Sequence, residues 1–101
     1  MRVEKRLKLI NPKGFHVRPA TKVAKQALQF ECEIHLLVDD QQVNAKSAMR
    51  LMTVASEQGT EMVVIAEGDD AQAAVEAIEK LFKAGFDEMD EAIPPPRGQM
   101  T

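Results

Sequence analysis

Apolar and polar positions alternate from the start of the chain, with Val3, Leu7 and Leu9 on one side and Glu4, Arg6 and Lys8 on the other. A period of two predicts a strand with one wet face. Beyond the turn-forming Asn11-Pro12-Lys13-Gly14 the period lengthens. Ala20, Val23, Ala24, Ala27 and Leu28 recur at helical spacing, opposite Lys22, Lys25, Gln26 and Gln29. Alternation returns with Cys32, Ile34, Leu36 and Val38 against Glu31, Glu33 and His35. Asp39-Asp40-Gln41-Gln42 then turns the chain into a short strand at Val43 to Ala45, and the absence of glycine leaves the turn type open. Ser47 reads as the N-cap of a short helix, Ala48 to Ala55, with Leu51, Val54 and Ala55 facing inward. After Gly59-Thr60, the apolar run Met62 to Ala66 suits a central strand. Asp69 or Asp70 caps a last helix with the inner stripe Ala71, Ala74, Val75, Ile78, Leu81 and Phe82, stopped by Gly85. The order β-α-β-β-α-β-α predicts an α/β (α+β) open-faced β-sandwich, with helices on one face of a four-stranded sheet.

The pattern ends after Phe86. Asp87, Glu88, Asp90 and Glu91 form an acidic run, and Pro94-Pro95-Pro96 excludes a continuing helix. Residues 1–86 are therefore expected to form one domain and 87–101 a disordered acidic, then Pro-rich tail. A linker remnant, a partner-binding segment and no function at all are its three readings, and the last is the expectation. At 101 residues the chain can bury roughly 60–65% of its unfolded surface. A net charge of −3 disfavours general nucleic-acid binding, and the absence of Trp and Tyr removes the best stacking platforms for bases or sugars. No apolar run reaches the ~20 residues of a membrane span, and no signal-peptide core is present. The single Cys32 has no partner within the chain for a disulfide, which suits a reducing compartment. A cytoplasmic protein without membrane insertion is expected.

Candidate chemistry gathers in Gly14-Phe15-His16-Val17-Arg18-Pro19-Ala20. Pro19 falls in the first helical turn, where a missing N–H costs little, and Gly14 permits a tight approach. His16 is thereby held at a helix N-terminus beside Arg18, an arrangement suited to an anion such as phosphate. The helix end and Arg18 both disfavour a charged imidazole, leaving a ring nitrogen able to attack phosphorus. The helix end contributes only about 0.3–1 kcal/mol toward holding a phosphoryl group, so the group would be tolerated without being trapped. On spacing alone, His16 as a simple helix cap and Arg18 as a solvated charge stand level with that reading.

Three stretches carry a resemblance. Gly14 to Thr21 resembles the active-site signature of HPr, the histidine-containing phosphocarrier family of the bacterial phosphoenolpyruvate-dependent phosphotransferase system. Asn44 to Met52 resembles the family's regulatory-serine segment, and Ala66 to Gln72 its lead-in to the last helix. With the three stretches in register, the resemblance as a whole covers about residues 3 to 86, most of the chain. The resemblance implies the same open-faced fold and a phosphorylated carrier, as opposed to an independent turnover enzyme. It implies that His16 accepts a phosphoryl group from Enzyme I and passes it to IIA domains of sugar permeases or to regulatory acceptors. Arg18 would stabilise the phosphoryl oxygens, Gly14 and Pro19 would set the local geometry, and no metal or organic cofactor is implied. Ser47 becomes a candidate for regulatory phosphorylation by an HPr kinase/phosphorylase, its capping role alone being the other reading. The sequence departs from the pattern at Lys13, where many members carry a small hydroxyl or amide residue, and at Val17, where Ala or Thr is commoner. The alternatives are a regulatory paralogue of the nitrogen-related branch, against which Pro19 speaks, and a non-catalytic interaction module. The pair His16 and Arg18 speaks against the module.

The short helix carries more apolar residues than one face can bury, leaving Ala48, Met49 and Met52 toward solvent. Methionine suits a surface that fits several partners, although a core role for these residues stands beside that reading. The family resemblance implies an apolar docking patch here, with Val17 and Thr21 from the signature, and Lys22, Lys25 and Arg50 as a basic rim for acidic partners. A monomer is expected. His35 reads as a surface histidine, because no other ligand stands at zinc-like spacing, and Cys32 as a small apolar core residue. Glu57, Glu61 and Glu67 show no pairing for acid–base chemistry.

Overall fold

The computed structural model describes residues 1–89. Strand β1 (Arg2–Lys8) leads to helix α1 (Val17–Ala27), and the hairpin β2 (Glu33–Val38) and β3 (Gln41–Asn44) follows. Helix α2 (Ala48–Met52), strand β4 (Glu61–Glu67) and helix α3 (Ala71–Lys83) complete the predicted order, and a 3-10 turn at Gly85–Asp87 extends it. All pairings are antiparallel, in the sheet order β1-β4-β2-β3. The open-faced sandwich is as expected, with the Met62 strand central.

Alternation decides which side of the sheet the helices cover. Leu7, Ile34, Leu36, Met62, Val64 and Ala66 point to one face and are buried there. Ala20, Val23, Ala24 and Ala27 of α1 and Ala71, Ala74, Val75, Ile78 and Phe82 of α3 close over them. Small alanines bring α1 near both α2 and α3. On the open face, Ile65 is nonetheless buried, flanked in register by Glu4 and His35. Among the described residues no helix is long and apolar enough to cross a membrane.

Several local expectations change. Leu28 terminates α1 and is exposed, so the apolar stripe stops one position earlier than periodicity suggests. Helix α2 closes at Met52, which leaves Ala55 exposed while Leu51 and Val54 are buried. The glycine-free hairpin turns with Asp39 at φ 55°, a left-handed conformation that Asp tolerates better than most residues. Asp70 precedes α3 without capping it through its side chain. Its carboxylate accepts the backbone N–H groups of Glu31 at 2.9 Å and Cys32 at 3.0 Å, tying the start of β2 to the start of α3. Cys32 is buried, and burial, followed by Asp70, pushes its thiol up to about 11, so it stays protonated and packs as a small side chain.

The hydrogen bond from the Cys32 thiol, then the Glu31 N–H, hold the Asp70 carboxyl below the ordinary carboxylate range. The folded state therefore binds this proton less readily than the unfolded chain. Its stabilising effect is present above about pH 4 and is lost as pH falls through the lowered folded-state value. Asp70→Asn should consequently lose less stability than the wild type on acidification below about pH 4, as urea denaturation across a pH series would measure.

Candidate functional site

The site is assembled from two chain segments. Asn11 opens the first, its side-chain Nδ2 donating to the Gly14 carbonyl at 2.6 Å while the Gly14 N–H returns to the Asn11 carbonyl at 3.0 Å. Gly14 adopts φ 74°, and a Cβ there would collide with the Ser56 carbonyl oxygen, so the position requires glycine on both counts. Phe15 and Ser56 then exchange two backbone hydrogen bonds, at 2.7 and 3.3 Å. His16 occupies the N-cap of α1 in extended conformation, but its side chain makes no capping bond. Reading His16 as a cap only is therefore set aside. The imidazole is left to other partners, with its side chain 35% exposed.

The second segment was missed by sequence reasoning. After α3, Gly85, Phe86 and Asp87 take φ values of 61°, 56° and 61°, reversing the chain toward α1. The left-handed conformation costs a non-glycine residue roughly 1–2 kcal/mol. Burial of Phe86 offsets it: the ring lies edge-on to Phe15 at 6.1 Å and to Phe82 at 4.9 Å. Lys22 Nζ donates to the Phe86 carbonyl at 2.9 Å and lies 3.3 Å from Asp87 Oδ2. This hook carries Glu88 into the site, where its carboxylate is entirely buried.

Both Glu88 oxygens lie 2.9 Å from His16 Nε2, and Oε1 has the geometry of a hydrogen-bond acceptor. Oε1 also accepts from Asn11 Nδ2 at 2.9 Å. Oε2 makes no well-aligned hydrogen bond, and Arg18 Nη1 stands 3.7 Å from it, at ion-pair distance. A neutral His16 that donates from Nε2 carries its lone pair on Nδ1. Val17 and Arg18, in the first turn of α1, have backbone N–H groups without intrahelical acceptors, and no acidic residue occupies that turn. The arrangement can thus present a nucleophilic nitrogen beside donors suited to a phosphoryl group.

The structure places the other expected residues unevenly. His16, Arg18, Gly14 and Pro19 are brought together, Pro19 being buried in the first turn. Val17 and Met49 are exposed, at 62% and 82%, on the adjoining helices α1 and α2. Ala48 and Met52 are half-buried and pack against the core, so they present less apolar surface than expected. Thr21 is half-buried, its hydroxyl donating to the Val17 carbonyl, while Lys25 and Arg50 are exposed. Lys22 is drawn from the expected basic rim into the hook. Ser47 caps α2 by accepting from the Arg50 N–H at 3.2 Å. The expectation of a disordered tail from residue 87 is corrected for Asp87 and Glu88, which are folded, because aromatic packing of Phe86 fixes the chain before them. The polyproline segment lies outside the described residues. Glu88 read as part of an acidic run, and only the apolar Phe86 after Gly85 hinted that the chain stays attached there.

A family model described as "PTS-HPr: PTS HPr component phosphorylation site" matches residues 3–84. The phosphocarrier protein HPr of Treponema pallidum is 41% identical over 86 residues, spanning 85% of this chain and 98% of that protein. The HPr-like protein Crh of Bacillus subtilis is 44% identical over 80 residues, or 79% of this chain and 86% of Crh. A crystal structure of HPr from Thermoanaerobacter tengcongensis superposes with a TM-score of 0.81 at 35% identity, covering 85% of this chain and 97% of that one.

The packing of the hook generates a stability prediction. Phe86→Ala should lower the free energy of unfolding by about 3 kcal/mol, the usual scale for removing a buried aromatic ring. Urea denaturation should show the lowered midpoint, with the far-ultraviolet circular dichroism of the folded state retained.

Proposed function

Because the chain belongs to the HPr family of phosphotransferase-system phosphocarriers, we propose that His16 accepts a phosphoryl group from a phosphohistidine of Enzyme I and passes it to IIA-type acceptors. The observation that carries the proposal is His16 at the start of α1, with no capping bond and its Nε2 engaged by Glu88. Nδ1 is then the attacking atom. Arg18 and the N–H groups of the first turn are the groups that meet the phosphoryl oxygens. The protein acts as a carrier, and its chemistry is completed on the partner. The exposed Val17 and Met49 form the apolar part of the docking face, and Lys25 and Arg50 its basic rim. Cytoplasmic partners of this kind fit a cytoplasmic carrier.

Incubation with Enzyme I and phosphoenolpyruvate, followed by intact-mass measurement, should show one phosphoryl adduct, labile to acid and stable to base. It should be absent from His16→Ala; an adduct persisting in that variant would overturn the assignment. Met49→Glu should weaken Enzyme I binding about ten-fold in titration calorimetry, with stability changed by no more than about 0.5 kcal/mol, as for other exposed positions.

A further inference from the structure

We propose that residues 90–96, which follow directly on the described chain, lie back across the face formed by α1 and α2 and compete there with partner proteins. The proposal rests on the reading of Val17 and Met49 as a docking face and adds to it the segment that covers that face. Charge sets the face apart. No Asp or Glu occurs between residues 9 and 30 or between 41 and 56, so α1, α2 and the loops leading into them contribute cations and no carboxylate. Lys13, Arg18, Lys25 and Arg50 among these cations are exposed. The hook brings two acids to this side, and both are engaged. Asp87 lies beside Lys22, and Glu88 is buried against Asn11 and His16. The segment that follows opens with the complementary charge, Asp90 and Glu91.

The order of residues within the segment fits the same face. Beyond the two acids come Ala92, Ile93 and Pro94-Pro95-Pro96, an apolar stretch to set against the exposed side chains of Val17 and Met49. Proline has few conformations to lose, so three in a row dock at little entropic cost. The point of attachment supplies the reach. Glu88 lies 2.9 Å from His16 and 3.7 Å from Arg18, so the segment starts beside the N-terminus of α1. Helix α2 packs directly on α1, and packed helices lie about 8–10 Å apart. Seven extended residues span roughly 23–25 Å, enough to cross both. A tether this short keeps the segment at about millimolar effective concentration, so a contact too weak to form between separate molecules is occupied within one. A partner must displace it, and its apparent affinity is reduced by the fraction of molecules left uncovered.

The test uses the full chain, with a nitroxide on Gln99→Cys and isotope-labelled methyl groups at Val17 and Met49. Cys32 is buried and stays unmodified. Paramagnetic broadening of both methyl signals is expected, with Leu37 and Val63 on the open face of the sheet affected less. In the same chain, Asp90→Asn/Glu91→Gln/Ile93→Ser should relieve the broadening. Without the label, that triple variant should bind Enzyme I about three-fold more tightly than wild type in titration calorimetry, and Ile93→Ser alone should produce part of both changes. Absence of broadening at Val17 and Met49, or equal broadening in the triple variant, would overturn the proposal. Broadening seen only between nitroxide-bearing and isotope-labelled molecules would make the occupant a second copy of the chain and overturn it as well. If Enzyme I shifts the Val17 and Met49 signals yet binds wild type and variant equally, the competition is overturned. If Enzyme I leaves both signals in place, the docking reading fails instead, and the broadening still decides whether the segment lies on this face.

Discussion

The two backbone hydrogen bonds between Phe15 and Ser56 connect everything that matters to the site. They join the loop before α1 to the loop after α2, so the N-cap histidine and the exposed Met49 belong to one rigid surface. They also bring Gly14 against the Ser56 carbonyl, which explains why no side chain is tolerated at that position. The Phe15 ring, buried beneath this bridge, offers its edge to Phe86 and so receives the C-terminal hook. One residue thus fixes His16, the start of α1, the loop after α2 and the segment that carries Glu88.

Packing rather than charge sets this geometry. Arg18 is about half exposed and stands 3.7 Å from Glu88, so screening by water leaves their attraction modest. A buried carboxylate, by contrast, loses several kcal/mol of hydration unless its lone pairs are met. Asn11 and His16 meet one Glu88 oxygen, and the ion pair with Arg18 faces the other. Such a group would leave for solvent if its backbone were free. It stays because Phe86 is locked between two other rings and Lys22 holds the carbonyl that follows. Two left-handed non-glycine residues are the strained price of that path.

Periodicity made most of the fold legible. Alternation at Ile34, Leu36, Met62 and Val64 and helical spacing at Ala20, Val23, Ala74 and Ile78 encode their burial directly, since each face must be covered. The signature around His16 was equally legible, because glycine, proline and a helix start have local causes. Glu88 was not, since its burial depends on a ring two residues earlier meeting Phe15 across the chain, and no short-range pattern encodes such a contact. Asn11 read as turn chemistry and is that, but its donation to Glu88 is a long-range fact. Asp70 shows the same limit: cap composition was visible, whereas its choice of the Glu31 and Cys32 N–H groups over those of its own helix is tertiary.

Charge balance explains why a group received at His16 could be given up again. Arg18 and Glu88 offset one another beside the ring, and the start of α1 adds about half a positive charge. A phosphoryl dianion on Nδ1 and the proton kept on Nε2 change the cluster by one negative charge. The helix end compensates part of that, and the exposed side of the site leaves water to solvate the remainder. A second arginine in place of Glu88 would favour the phosphorylated form and oppose release; an additional carboxylate on the Arg18 side would oppose loading. Glu88 lies against Nε2 and Arg18 faces the same carboxylate at 3.7 Å, so the opposite charges beside His16 largely offset one another.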